Sequence, residues 1–189
     1  MTGKTHQIIG LTVGLGYYLT QIEPQYSPAT LGAVIFVSHF LSLIPDFDQW
    51  TAEFWDSIPY GHVVGRVADP FLSHRGFTHS LLGFAIIGAL SKYLLSFFPQ
   101  YWGIDINLVW ISGMIAYASH LSFDIITVEG IPLLFPWKRS FGIPPKPFDG
   151  LRIMTGKWFE NLIIFPLINF VLINLIWRNW GILQKILFK

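Results

Sequence analysis

Histidine and acidic residues that could bind a metal ion occur in four short blocks of this sequence. They are His6, Asp46 and Asp48 in "PDFD", His74 and His79 in "HRGFTHS", and His120 and Asp124 in "SHLSFD". Imidazole nitrogens and carboxylate oxygens suit Zn²⁺, Mn²⁺ or Fe. Because the chain has no cysteine, disulfides and thiolate metal sites are excluded, and a bound metal would need these side chains.

The spacing of His120 and Asp124 strengthens this interpretation. Residues i and i+4 project from the same face of a helix, so the pair could present two ligands to one ion. Both residues lie inside an apolar run, where an unpaired carboxylate is costly and an ionisable residue is a candidate for function. The alternative is a buried ion pair that holds no metal.

The other blocks also have simpler interpretations. Asp46 and Asp48 follow a proline that stops a helix, and aspartates at such places often form turns or caps. His79 could simply lie at the membrane–water interface, while Thr78 or Ser80 could cap the next helix. A shared location for all the candidate ligands would favour a metal site over these separate explanations.

The composition indicates that lipid is the solvent for much of this chain. Of its 189 residues, 52% are hydrophobic and 12% are charged, and soluble domains have about twice that charged share. The mean hydropathy is +0.51. The net charge is only +1, so no nucleic-acid partner is expected. We therefore predict a multi-pass membrane protein.

Five apolar segments predict the architecture. They cover residues 8–22, 29–45, 80–98, 106–128 and 158–177. A spanning helix needs about 20 residues, a length that the last three segments reach and the first two do not. The prediction is an all-α integral membrane protein, one domain over residues 1–189, with four to five transmembrane or membrane-embedded helices. Its two long loops are residues 46–77 and 129–157.

The charges of the loops predict an orientation. Up-and-down connectivity places the start of the chain and both long loops on one side, where lysines and arginines are concentrated, and the two short turns opposite have neither. The positive-inside rule makes the side of the long loops cytoplasmic. All the candidate ligands reach that same side. This favours a site for one to three divalent ions, Zn²⁺ first and Mn²⁺ or Fe as alternatives.

Phosphoester hydrolysis is the chemistry that this set predicts. Two ions about 3.5–4 Å apart, bridged by Asp124, would hold a phosphoester and generate a hydroxide nucleophile. Glu160 is a further catalytic candidate, as a ligand, as a base or only as an acid at a helix start. The candidate substrate-binding cations are Arg75, Lys138, Arg139 and Arg152. Arg75 is also a catalytic candidate. The cations of the second loop could instead anchor that loop to lipid headgroups.

Three motifs of this sequence resemble a known family. "LIPDFDQ", "HRGFTHSLL" and "SHLSFDIITVEGIPLLFPW" are similar to the signature blocks of the YdjM-like inner-membrane proteins, which are described as LexA-regulated, metal-dependent hydrolases. The similarity runs in order from "THQIIG" to "TGKWFENL" and covers most of the chain. It implies a metal-dependent hydrolase in the inner membrane. One position departs: the family block commonly reads "PDxDH", and Gln49 stands where that histidine would be, which leaves the metal count open.

A more distant similarity is to the zinc-dependent phospholipase C and P1 nuclease fold. That fold is all-helical, and its histidine and aspartate ligands follow the same order, including an H-x3-D pair. The similarity implies phosphoester chemistry. For a membrane protein we expect the substrate to be a membrane lipid or a lipid-linked molecule. Two alternatives stay open. One is a divalent-metal transporter, and the other is a non-catalytic protein in which a structural metal holds the helices together. The sequence identifies neither the substrate nor the oligomeric state.

Overall fold

The computed structural model describes residues 1–21, 27–48, 76–98, 102–137 and 139–188. Within these ranges the α-helices are α1 Gly3–Thr20, α2 Pro28–Leu43, α3 Leu81–Leu95, α4 Ile106–Ile125, α5 Phe165–Arg178 and α6 Trp180–Leu187. Short 3₁₀ helices cover Ile44–Asp48, Phe77–His79 and Phe148–Leu151, and a π-helix covers Glu160–Ile164. The described residues form no strand, only two isolated bridges, so the all-α prediction is confirmed.

Side-chain caps define where three of these helices begin. The capping oxygens belong to Ser27, Ser80 and Asp105, which accept from the backbone N–H groups of Thr30, Gly83 and Leu108. Each bond satisfies one of the N–H groups that a helix leaves unpaired at its start. Ser80 is therefore the cap of α3. The other candidate, Thr78, instead donates its hydroxyl hydrogen to the carbonyl of Pro45 at 2.8 Å.

Helices α1, α2 and α4 pack against one another to form the core. Tyr18, Val34 and Val109 contribute one fully buried side chain from each helix. The approach of α1 to α2 is close because Gly14 faces Ser38, and a Cβ atom added at Gly14 would lie 2.2 Å from the Ser38 hydroxyl. Helix α5 packs on α1, and α3 packs on α4.

Among the described residues, three stretches are long and apolar enough to cross a membrane. They are Pro28–Phe47, which joins α2 to the following 3₁₀ turn, Ile106–Ile125, and Glu160–Arg178. Helix α3 is apolar but ends at Leu95, three residues before the predicted end. Its 15 residues span only about 22 Å, less than the hydrocarbon thickness of about 30 Å.

The last of these stretches has the exposure expected of a lipid-facing helix. Phe170 and Ile173 leave 65% and 66% of their surface uncovered, and no residue of α5 is buried. A helix with this apolar surface needs hydrocarbon as its solvent. The prediction of an all-α membrane protein is therefore confirmed.

Candidate metal centre

Three separate segments bring four of the predicted ligands to one place. Asp46 lies in the 3₁₀ turn that follows α2, and His79 ends the 3₁₀ turn that precedes α3. His120 and Asp124 lie one turn apart on α4. One ligand atom from each of these four side chains can be chosen so that all lie within 4.8 Å of one another.

The distances between these atoms fit a shared cation better than hydrogen bonds. The Nε2 atoms of His79 and His120 both lie 3.6 Å from Asp46 Oδ1. The same atoms lie 3.4 and 3.5 Å from Asp124 Oδ2. Good hydrogen bonds would be about 2.7–3.2 Å long. An ion with tetrahedral bonds of about 2.0–2.1 Å would hold its ligand atoms about 3.3–3.4 Å apart.

The orientation of His120 leaves one ring nitrogen for a ligand bond. Nδ1 lies 2.6 Å from the carbonyl oxygen of Ser42 and donates its hydrogen to it. That assignment leaves a lone pair on Nε2, which has no hydrogen-bond partner among the described residues although it is buried. A backbone carbonyl on the far nitrogen is the usual support of a metal-binding histidine. His120 therefore fits the role of a metal ligand.

Asp124 is oriented by groups from the start of the chain. The His6 Nε2 atom lies 3.0 Å from Asp124 Oδ1, and the amino group of Met1 also contacts Oδ1. The His6 ring stacks on that of His120 with centroids 3.6 Å apart. His6 was predicted as a ligand, and the structure places it beside the four-ligand group, where it holds Asp124 with Oδ2 toward His79 and His120.

Two hydrogen bonds position the turn that carries His79. The Thr78 hydroxyl donates to the carbonyl of Pro45, and the Tyr117 hydroxyl donates to the carbonyl of Thr78 at 2.6 Å. The first bond connects the turn of His79 to the turn of Asp46, and the second connects it to α4. Neighbouring groups thus fix the relative positions of the ligand-bearing segments.

The charges of the centre favour a positive group at its middle. Burial opposes protonation of His79, but the nearby carboxylates of Asp124 and Asp46 outweigh it and raise the pKa of this imidazole above its ordinary value. A bound cation would stabilise the same two carboxylates while the imidazoles bind it in their neutral form. The donor set therefore accommodates a divalent metal, and it does not indicate which one.

Access to the centre is uneven. The side chains of His79 and His120 are fully buried and that of Asp124 is 1% exposed, whereas that of Asp46 is 21% exposed. The described part of the chain thus leaves the Asp46 side as the more open one. A small ligand could approach the four ligand atoms from there.

Glu160 is the first residue of the π-helix, which fits the third of its predicted roles, an acid at a helix start. One of its carboxylate oxygens accepts from the backbone N–H of Thr2 at 2.7 Å and from the Thr2 hydroxyl at 2.8 Å. The other accepts from the N–H of Gly156, also at 2.7 Å. Glu160 therefore holds Thr2, the residue next to Met1, and the amino group of Met1 in turn contacts Asp124. Both carboxylate oxygens of Glu160 already accept hydrogen bonds from these donors.

Two predicted substrate-binding cations of the second long loop, Arg152 and Arg139, make different contacts. The Arg152 guanidinium donates to the carbonyls of Pro144, Gly142 and Val128, so it stabilises the loop itself. Arg139 is exposed and lies over the Trp137 ring. The other predicted residues lie outside the described residues, namely His74, Arg75, Lys138 and the side chain of Asp48, as does Gln49, where the family histidine would be.

Several supporting groups carry no signal in the sequence. The carbonyl of Ser42 and the amino group of Met1 are backbone groups, which any residue type would provide. Tyr117 precedes His120 by about one helical turn and could have been suspected from that spacing. The contacts of Thr2 with Glu160 join residues 158 positions apart, and nothing local predicts them.

Comparisons with known proteins identify bacterial relatives. The chain is 31% identical over 167 residues to the uncharacterized protein YvsG of Bacillus subtilis, covering 87% of this chain and 88% of YvsG. It is 27% identical over 150 residues to the inner membrane protein YdjM of Escherichia coli, covering 76% and 70%. It is 30% identical over 168 residues to the inner membrane protein YbcI of Escherichia coli, covering 84% of each. No solved structure matches the chain at a significant level.

The family comparison covers almost the whole chain. The family model described as "YdjM inner membrane protein" matches residues 1–181. Together with the three candidate spans, this match confirms the predicted inner-membrane location. The chain therefore belongs to the YdjM inner membrane protein family.

Proposed function

We propose that the chain is a membrane-bound, metal-dependent hydrolase that cleaves a phosphoester of a lipid or lipid-linked substrate at the cytoplasmic side of the membrane. One observation carries the proposal: Asp46, His79, His120 and Asp124 converge within 4.8 Å at the ends of apolar helical segments. Histidine and aspartate without cysteine are the donors of catalytic rather than structural zinc sites.

The four residues would hold a divalent metal, and the groups around them would keep their side chains in place. A metal bound there would polarise a phosphoryl oxygen and lower the pKa of a bound water. Ser42 orients His120 and His6 orients Asp124, so little side-chain rearrangement would accompany metal binding. The partly exposed Asp46 side would give the substrate its path to the centre.

The position of the centre along the spans favours an enzyme over a transporter. Asp46 lies one residue before the end of the span Pro28–Phe47, and Asp124 lies one residue before the end of Ile106–Ile125. A transport site would be expected near the middle of the membrane, with access from both sides. Ligands gathered at one end of two spans suit a reaction at the interface, where phosphoester headgroups lie.

Metal analysis and activity assays on detergent-purified protein test the proposal together. We expect the wild type to contain Zn²⁺, Mn²⁺ or Fe and to hydrolyse at least one substrate in a screen of phosphatase and phospholipase substrates. His120→Ala and Asp124→Asn should lose metal and activity together. His39→Ala, a histidine outside the four-ligand group, is the control that should retain both.

Four other outcomes would count against the proposal. A metal-free wild type, or an activity that survives His120→Ala and Asp124→Asn, would contradict it directly. Metal uptake into liposomes by the wild type would favour a transporter. Loss of the fold on metal removal, with no turnover of any phosphoester, would favour a metal that only staples the helices.

A further inference from the structure

An apolar groove runs along the membrane face of the molecule between α2 and α3. Its cavity volume is about 270 Å³. Its walls include Phe36 and Phe40 of α2, Ile44 of the following 3₁₀ turn, and Ile87, Leu90 and Leu94 of α3. Phe36, Leu90 and Leu94 expose 67%, 52% and 55% of their surface. The groove is therefore open at its side, along a helix that is a candidate membrane span.

The groove exists because α3 is held by α4 rather than by α2. The Trp110 indole donates to the carbonyl of Gly88 at 2.9 Å. At the same glycine, an added Cβ atom would lie 2.7 Å from the Met114 methyl group. These contacts fix one face of α3 against α4. Only Gly83 and Gly88 of α3 are buried, so the face that carries Leu90 and Leu94 stays open.

The chemistry of the groove fits a hydrocarbon chain. Ser91 is the polar side chain among the residues that line it, and its hydroxyl donates to the carbonyl of Gly88 at 3.0 Å. The lining thus offers carbon surface and no free hydrogen-bonding side chain of its own. At the depth of a spanning helix the surrounding medium is also hydrocarbon, so a lipid chain can enter from the side.

The groove ends beside the candidate metal centre. Ile44 is separated from the ligand Asp46 only by Pro45, and Ile44 and Ile87 both pack against the cluster that contains Tyr117. From Phe36 in α2 to Ile44, the residue that follows this helix, the helical rise is about 12 Å. One leaflet contributes about 15 Å of hydrocarbon. The groove therefore follows most of the depth of one leaflet and reaches the interface where the metal ligands lie.

From this continuity we infer that the groove between α2 and α3 holds a hydrocarbon chain of the substrate while its phosphoester lies at the four-ligand centre. The inference rests on the proposed function and narrows the substrate to a lipid whose chain and phosphate are adjacent, such as a phosphatidic acid or another simple lipid phosphate. A soluble phosphoester would use the centre and leave the groove unused.

Photocrosslinking tests occupancy of the groove without any need for turnover. The probe is phosphatidic acid with a diazirine in one acyl chain, incorporated with the full-length protein into phosphatidylcholine vesicles with metal present. We expect peptides from residues 36–44 and 87–94 to be labelled several-fold more strongly than those around Phe170 and Ile173 on the exposed face of α5. Unlabelled phosphatidic acid should suppress this labelling.

A matched pair of variants separates the groove from the helix. Leu90→Trp fills the groove, while Ile86→Trp enlarges a residue that is 48% exposed on the same helix and is not part of the groove lining. Labelling should fall in Leu90→Trp and persist in Ile86→Trp. Labelling that is equal on the groove and on α5, or unchanged in Leu90→Trp, would overturn the inference.

Hydrolysis assays then separate failure of the groove from failure of the proposed function. Leu90→Trp should lower kcat/KM for a long-chain lipid phosphate by roughly tenfold and leave a short-chain, water-soluble analogue unchanged. If wild-type protein hydrolyses both and Leu90→Trp affects them equally, the groove inference is wrong while the hydrolase stands. If nothing is hydrolysed, the hydrolase is wrong, and crosslinking still decides whether the groove binds a lipid chain.

Discussion

Asp124 divides its two carboxylate oxygens between different partners. Oδ1 contacts His6 and the amino group of Met1, while Oδ2 lies 3.4–3.5 Å from the imidazoles of His79 and His120. This division fixes the rotation of the carboxylate and turns Oδ2 toward His79 and His120. The identity of a ligand and the group that orients it are therefore separate properties, and each can be changed alone.

His6→Ala should weaken metal binding without removing a ligand. Loss of an orienting partner typically costs about 10–100-fold in metal affinity, so the variant should still fill at saturating metal. His120→Ala should not fill at all. Competition with a chromophoric chelator measures both affinities, with His39→Ala as the unaffected control. Complete loss of metal in His6→Ala would contradict this role and make His6 a direct ligand.

At the scale of elements, the ligands depend on how the helices begin and end. Asp46 and His79 lie on 3₁₀ turns at a helix end and a helix start, not on the long helices. The cap of α3 is the residue that follows His79. Changes in the capping of α3 should therefore alter the metal affinity of the centre, whereas changes at other helix starts should leave it unaltered.

Ser80→Ala and Ser27→Ala provide a matched test of this dependence. Each change removes a side-chain cap and should lower the free energy of unfolding by about 1 kcal/mol. Only Ser80→Ala should also weaken metal binding, because Ser80 is adjacent to His79. Thermal unfolding in detergent and chelator competition measure the two effects. Equal metal affinities in the two variants would refute the connection.

The glycines of α1 set how closely the core helices pack. A Cβ atom in Gly14→Ala would lie 2.2 Å from the hydroxyl oxygen of Ser38 and 3.2 Å from the carbonyl oxygen of Ser112. We expect overpacking to lower the free energy of unfolding by about 1–3 kcal/mol. At Gly32 in α2, an added Cβ atom meets no neighbouring side chain or other element of the described chain within 4 Å. Gly32→Ala should therefore raise the free energy of unfolding by about 0.4–1 kcal/mol. Thermal unfolding of both variants checks the opposite signs.

The helices were predictable because their signal is local. Apolar runs locate α2, α3 and α4 to within three residues at each end, whereas α1 begins at Gly3, five residues before its predicted start. The i, i+4 spacing of His120 and Asp124 already places these two residues together. The end of α3 was harder to predict. Leu95 is followed by Ser96, Phe97 and Phe98, and hydropathy alone assigns the two phenylalanines to the helix.

The partners of the ligands could not be predicted in the same way. Whether His6 binds metal or orients Asp124 depends on the direction of its ring, which follows from packing against His120. Glu160 has the residue type of a catalytic acid, yet its oxygens accept from Thr2 and Gly156. Such pairings join distant parts of the chain and leave no spacing pattern.

At the scale of the whole molecule, metal should stabilise a fold that does not depend on it. The core residues Tyr18, Val34 and Val109 form a hydrophobic cluster that contains none of the four ligands. Metal at 100 times its Kd would add about 2.7 kcal/mol. We therefore expect a chelator to lower the Tm of the wild type while far-UV circular dichroism still reports helix.

Asp124→Asn is the control for this experiment. Without a functional site, its Tm should be the same with and without chelator, and close to that of the metal-free wild type after allowance for the substitution itself. A wild type whose Tm does not respond to chelator would contradict a metal bound in the folded state. A wild type that loses its helix signal would show that the metal holds the fold together.

The wide separation of the ligands along the chain has a consequence for biogenesis. Asp46, His79, His120 and Asp124 leave the ribosome in that order, and the last two belong to α4. A nascent chain with only α1 to α3 inserted offers one carboxylate and one imidazole of the group, too few to retain an ion strongly. Metal capture should therefore follow the insertion of α4, so the newly made protein enters the membrane empty and acquires its metal there.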